Sequence, residues 1–228
     1  MRWLVLGLIA SVVFIAARAT GSAELALLSK GVPVIAMFFW LANAPASRYR
    51  RWIRIGLLCS LAGDVLLEWP QDLFVFGLGA FLLAHLAYLR AYLTDCKQPA
   101  WLALLLALAV GGSMFSVLAS AGLGPMLIPV ACYATAIGAM LWRALARLKM
   151  QPKNRNNALL AAVGALLFVF SDSLIGINRF VAPFDSAGYW IIVSYWLGQW
   201  AISASALHIS AQNPQQTCAT STIETRQA

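Results

Sequence analysis

Charge is scarce in this chain. Of 228 residues only 11% are Asp, Glu, Lys or Arg, against 61% hydrophobic, and the mean hydropathy is +0.78. A soluble domain of this length needs more polar surface, so an aqueous globular fold is excluded and lipid is the natural solvent. Histidine is nearly absent. His85 and His208 are the only two, and they fall at opposite depths of the predicted spans, too few and too far apart for a three-ligand catalytic metal site. No Gly-x-Ser-x-Gly elbow surrounds Ser60 or Ser171, which speaks against a serine nucleophile. The four cysteines, Cys59, Cys96, Cys132 and Cys218, share no regular spacing and read as free thiols. Few Pro or Gly residues interrupt the apolar runs.

What the chain does have is long apolar runs and an excess of basic residues, for a formal charge of +8. The basic residues fall in short clusters between those runs, without an aromatic-studded basic surface, so the pattern sets membrane orientation and excludes nucleic acid as a partner. A span needs about 20 mostly apolar residues to cross about 30 Å of hydrocarbon. The breaks predict an all-α membrane bundle of about eight transmembrane helices, at 3–18, 24–42, 52–68, 73–93, 100–120, 124–148, 157–177 and 188–210. Residues 1–210 then form one polytopic domain, and 211–228 a polar tail. Met1 to Ala19 has the outline of a signal peptide, but the charge bias closes only if this first helix is retained.

With eight spans, one side collects Arg2, Arg48, Arg50, Arg51, Arg54, Arg90, Lys97, Arg143, Arg147, Lys149, Lys153, Arg155 and Arg226, and the other keeps Arg18, Lys30 and Arg179. This bias predicts a multi-pass protein of the plasma (inner) membrane with both termini cytoplasmic. Trp3, Trp40, Trp52, Trp69, Trp142 and Trp190 fall near span ends as interfacial anchors.

The informative residues are the polar ones inside spans, because each costs free energy unless paired or hydrated. Asp64 follows Gly63 in the third span, Asp172 follows Ser171 in the seventh, and Lys30, His85, Tyr195 and Gln199 fall in the second, fourth and eighth. At about 1.5 Å rise per residue, Asp64 lies roughly 18 Å and Asp172 roughly 21 Å from the cytoplasmic edge. Lys30 and Tyr195 come to a similar level in the outer half of the bilayer, with His85 and Gln199 deeper. Asp64 shares a face with Ser60 and Glu68, while Gly77, Phe81, His85, Tyr88 and Tyr92 form another stripe. Gly63, Gly164, Gly176 and Gly198 let neighbouring helices approach. Glu68 and Asp72 fall at a loop, where solvation accounts for them, and Cys132, Tyr133 and His208 read as packing or interface residues. The Gly63-Asp64 and Ser171-Asp172 segments stand four spans apart on helices of the same direction, which would suit two pseudo-repeated four-helix halves.

Two carboxyl groups in a dry pocket cannot comfortably both ionise. One protonated and one ionised carboxyl make an acid/base pair suited to hydrolysing a bond that breaks after protonation. Asp64 and Asp172 are the candidates, with Lys30, His85, Tyr195 and Gln199 placed to position water, a charge partner or a substrate. Two competing readings are a proton- or ion-coupled transporter, since intramembrane carboxylates also serve relays, and a membrane scaffold or lipid sensor in which the polar residues only lock helices together.

The segments Gly63-Asp64-Val-Leu-Leu, Phe81-Leu-Leu-Ala-His85-Leu-Ala-Tyr88, Phe168-Val-Phe-Ser171-Asp172-Ser-Leu and Tyr195-Trp-Leu-Gly-Gln199, in that order, resemble the YhhN-like lysoplasmalogenases. Lys30 with Pro33 is similar to that family's second span, although a Gly stands where a Pro is expected directly after the lysine. The resemblance covers the chain to about Ser210. It implies hydrolysis of the vinyl ether bond of a lysophospholipid substrate to a fatty aldehyde and a glycerophospho-headgroup, in contact with membrane lipids and without an organic cofactor. Such a bond hydrolyses by protonation at carbon and capture of an oxocarbenium ion by water, which suits the aspartate pair.

Overall fold

The computed structural model describes residues 2–95, 97, 99–150 and 155–207, and all regular elements among them are helical. Cys96, Lys153, His208, Cys218, Arg226 and the tail of 211–228 lie outside the described residues. The first span is α1 (Arg2–Thr20). The second is discontinuous: α2 (Ala23–Lys30) stops at Gly31 and α3 (Val32–Trp40) restarts with Pro33 in its first turn. The sequence predicts one helix over 24–42. Proline brings no N–H to bond back to the preceding turn and glycine holds helical geometry weakly, so the pair interrupts the span directly after Lys30.

Then come α4 (Arg48–Glu68), α5 (Phe74–Asp95), α6 (Trp101–Ser120), α7 (Leu127–Met150), α8 (Arg155–Gly176) and α9 (Ala187–Ala204). The Ser47 hydroxyl caps α4 by accepting the Arg50 backbone N–H at 3.1 Å, which satisfies one of the orphan donors of a helix start. Gly122 and Gly124 turn the chain between α6 and α7 with φ of +85° and +51°, a left-handed geometry that side chains with a Cβ resist. Beyond Gly176, α8 continues as a wider π-turn, Ile177–Val181.

Eight spans therefore stand close to where the apolar runs place them, and the chain is a multi-pass membrane protein. Six of the spans are long and apolar enough to cross a membrane by themselves. The two that fall short are α4 and α9. α4 carries Arg48, Arg50, Arg51, Arg54, Asp64 and Glu68, and α9 carries Ser194, Tyr195, Gln199 and Ser203. Both sit against other helices, which bury Asp64, Ser194, Tyr195, Gln199 and Ser203, away from lipid, while Arg48 and Arg51 are exposed at the start of α4. Outside, Leu8, Leu28, Phe76, Leu102 and Ile128 are exposed, as suits a surface solvated by acyl chains.

α4 packs on α5, α8 on α9, α7 on α5, α6 and α8, and α1 on α3. The predicted stripe on α5 is the centre: Phe81, His85, Tyr88 and Tyr92 are all buried. α1 joins the core through Phe14, whose ring meets Trp196 edge-on with centroids 5.4 Å apart. The tightest backbone-to-backbone approach is between α8 and α9. A Cβ at Gly164 would lie 2.8 Å from both the Gly198 carbonyl oxygen and the Ile202 nitrogen, closer than any unstrained contact. Backbone cannot yield as a side chain can, so Gly164→Ala must push the two helices apart. We expect it to cost about 1–3 kcal/mol, measured as a lowered unfolding midpoint in detergent; an unchanged midpoint would show that the approach is not tight in solution.

Candidate functional site

The six polar residues singled out in the sequence gather into three clusters along α2, α4, α5, α7, α8 and α9. In the first, Asp172 of α8 accepts the Tyr133 hydroxyl at 2.6 Å, and His85 Nε2 lies 3.1 Å from the same carboxylate oxygen and 2.9 Å from the Tyr133 hydroxyl. His85 is fully buried, and among the described residues its Nδ1 has no hydrogen-bond partner. A bare imidazole nitrogen is cheaper to bury than an unpaired N–H, so the tautomer with the proton on Nε2, donated to Asp172, fits this environment. Tyr133 reads as a packing residue in the sequence. It is instead a member of the site, brought there by α7, and no local signal announces a contact between residues so far apart in the chain.

In the second cluster Asp64 of α4, 2% exposed, accepts the Tyr195 hydroxyl of α9 at 2.7 Å. One turn along, Glu68 takes Lys30 Nζ at 3.0 Å and Arg18 at 3.3 Å. Lys30 is thus held by Glu68, and Glu68, expected to be a solvated loop residue, is the last residue of α4 and ties α1 and α2 to it. In the third cluster the Tyr88 hydroxyl donates to Gln199 Oε1 at 2.7 Å, with Ser60 Oγ 3.4 Å from Tyr88. Gln199 therefore does sit apart from Asp172, whereas His85, expected at the deeper level of Gln199, stands at the level of the carboxylate.

The two aspartates do not meet. Among the described residues no hydrogen bond joins their carboxyl groups. The rings of Phe81 and Phe168 stand between the clusters: Tyr195 packs edge-on against both at 5.7 and 5.3 Å, and His85 packs on Phe168 at 4.7 Å between centroids. Gly63, beside Asp64, makes room for this arrangement, since a Cβ there would lie 2.6 Å from the Phe81 ring.

Asp172 and Tyr133 are the polar end of an otherwise apolar cavity, about 440 Å³ including its open mouth. Phe74, Leu78 and Phe81 line it from α5, Ile175, Gly176 and Phe180 from the end of α8, with Leu67, Leu118 and Val130 completing the walls. Neither Asp64, Lys30, Tyr195 nor Gln199 lines it. His85 is one contact behind, through Asp172 and Tyr133. No group of three or more His, Cys, Asp or Glu residues able to hold a metal occurs among the described residues, and Cys59 and Cys132 are free thiols.

What this arrangement can do is hold a mostly apolar, single-tailed molecule and present one carboxyl, fixed by a tyrosine and a histidine, to a bond a short way inside. Tyr133→Phe tests the fixing. The ring still lines the cavity while Asp172 loses one of its two donors, so we expect turnover to fall about 10- to 100-fold with little change in KM. A KM effect alone would mean that the hydroxyl binds substrate and does not set the carboxyl.

The model of the YhhN family matches residues 25–206, which include every residue of the three clusters except Arg18. The chain is 37% identical to the human protein named lysoplasmalogenase TMEM86B, over 80% of this chain and 75% of that one. It is 38% identical to the lysoplasmalogenase of Mycobacterium tuberculosis over 73% of this chain and 62% of that protein, and 34% identical to human lysoplasmalogenase TMEM86A over 74% and 69%. No solved structure is detectably similar to the chain.

Proposed function

Because the chain belongs to the YhhN family, we propose that it is a membrane lysoplasmalogenase that hydrolyses the vinyl ether bond of a lysophospholipid, with Asp64 and Asp172 as the carboxyl groups on which turnover depends. The observation that carries this reading is the apolar cavity that ends at the Asp172–Tyr133–His85 cluster.

In the proposed reaction Asp172, as the carboxylic acid, gives its proton to the vinyl carbon remote from oxygen. A C–H bond forms and the ether becomes an oxocarbenium ion. Water adds to the cationic carbon and its proton returns to the Asp172 carboxylate. The resulting hemiacetal releases the glycerol oxygen as a hydroxyl and leaves the fatty aldehyde, so one water is consumed and the carboxyl is restored. Phe81, on the cavity wall, offers a ring to the passing cation. Asp64, across the aromatic partition, contributes charge rather than contact. Lys30, Tyr195 and Gln199 support the walls: Lys30 through Glu68, Tyr195 through Asp64, Gln199 through Tyr88.

Purified protein in detergent should release fatty aldehyde from a lysoplasmalogen. A folded protein that releases none, yet moves a solute across sealed vesicles with a proton gradient, would favour transport instead. The interruption at Gly31 keeps helical angles, φ −80° and ψ −16°, so the span does not unwind as the broken helices of transporters do, and the named relatives are lysoplasmalogenases. On this reading both termini lie in the cytoplasm of a cell bounded by the plasma (inner) membrane. The charge bias supports this, as does the pairing of all three basic residues of the other side, Arg18 and Lys30 with Glu68 and Arg179 with Asp72. Cys218, near the C-terminus, should then be labelled by an impermeant maleimide in inside-out vesicles and not in intact cells; the reverse would invert the topology.

A further inference from the structure

Beside the Phe74–Phe180 end of the cavity stands an ion pair that the chemistry above leaves unused. Arg179 Nη2, in the π-turn after α8, lies 2.7 Å from Asp72 Oδ2 in the loop before α5, with side chains 47% and 68% exposed. Each end is attached to the cavity. Phe180 follows Arg179 and Phe74 stands two residues after Asp72; both line the cavity and meet edge-on at 5.8 Å, with the guanidinium 4.9 Å over the Phe74 ring.

We propose that this pair is the headgroup site: Arg179 takes the phosphate diester and Asp72 the ammonium group of a zwitterionic lysophospholipid, each replacing the other as partner. The inference rests on the hydrolase reading for its substrate and adds the residues that hold the polar end. An exposed pair gains little from its own attraction, so a ligand carrying both charges displaces it at low cost. A guanidinium is matched to phosphate oxygens through paired N–H donors.

The spacing fits. Asp172 and Arg179 are seven residues apart, about 10 Å along the end of α8 and the π-turn that continues it, at about 1.5 Å per residue. The bonds from the reacting vinyl carbon through glycerol to phosphorus extend about 8 Å. A phosphate on Arg179 therefore sets the vinyl ether beside Asp172, with the tail bending back past Leu78, Leu118 and Val130, which pack beside Phe180, toward the acyl chains. Arg18 and Lys30, the other basic residues of that side, are both committed to Glu68 and outside the cavity lining.

The test compares wild type, Arg179→Gln, Arg179→Lys and Asp72→Asn on three vinyl ethers: the lysophosphoethanolamine, the glycerophosphate without the amine, and the glycerol ether without phosphate. Arg179→Gln should raise KM about tenfold or more for the two phosphate-bearing substrates, leave kcat within about threefold, and leave the glycerol ether unchanged. Arg179→Lys should recover part of the loss. Asp72→Asn should raise KM for the ethanolamine substrate only. Equal shifts on all three substrates, or none, overturn the site. Binding of the saturated ether lysophosphoethanolamine, followed by tryptophan fluorescence, separates this from the chemistry. If wild type binds that analogue at least about tenfold tighter than Arg179→Gln, the site stands even if no aldehyde is ever released; equal affinity removes it even if hydrolysis is established.

Discussion

Asp172→Asn lowers aldehyde release by about 10²- to 10⁴-fold, the range over which a positioned proton donor contributes to a transition state. The substitution is a clean one here. Asn keeps the shape of the side chain, and its carbonyl oxygen can still accept the Tyr133 hydroxyl that now lies 2.6 Å from Oδ2. What it loses is the proton that must reach carbon and the base that must take one back from water. The variant should therefore remain monodisperse in detergent, unfold near the wild-type temperature and bind the saturated ether analogue as wild type does, while its rate collapses. A variant that keeps more than about a tenth of wild-type turnover would place the proton donor elsewhere.

Asp64→Asn is expected to have the second-largest effect, through a different physical route. The carboxyl is buried on Tyr195 and does not line the cavity, so it gives no proton directly. A charge felt by a forming cation through the protein, at an effective dielectric of about 20, is worth about 1–2 kcal/mol, or a factor of about 5–30 in rate. The amide oxygen of the variant would still accept the Tyr195 hydroxyl, so packing is preserved and only the charge is removed. Tyr195→Phe makes the reciprocal change, removing the hydrogen bond and keeping the carboxyl, and should cost less than Asp64→Asn. If the order is reversed, Asp64 acts by holding Tyr195 and not by its charge. Comparable losses of about 10³-fold or more in both aspartate variants would instead bring the two carboxyls into one proton-transfer step, as the sequence alone suggests.

The difference between those outcomes marks how far the sequence could be read. The spans were readable because a bilayer imposes length and apolarity on each helix separately. Asp64, Asp172 and His85 stood out because ionisable groups inside spans are costly. Their level along the helices followed from rise per residue, which brings Asp64 to Tyr195 correctly. What rise does not give is rotation about each axis and the neighbour on each face. So the sequence could put two aspartates at one depth and not see Phe81 and Phe168 between them. It read Tyr133 as packing and missed its bond to Asp172. Glu68 looked like a loop residue because its partners, Arg18 and Lys30, come from another part of the chain. The interruption of the second span was visible in Gly31 and Pro33, but its apolar composition outweighed two residues. Polar composition works the other way in α4 and α9, which fall short as isolated spans because they carry much of the site.

The close approach of Gly164 to Gly198 also divides the labour of movement. With backbone against backbone, and the Ser171 hydroxyl on the Ile191 carbonyl at 3.0 Å, α8 and α9 behave as a single anvil that carries Asp172 and Tyr195 together. The opposite wall is lighter. α6 buries only Ala103, Ala107 and Leu118 among its twenty residues, and Leu118 is the one that touches the cavity. In the proposed reaction the α6 side is therefore where a tail entering, or an aldehyde leaving sideways into the acyl chains, has the least packing to displace.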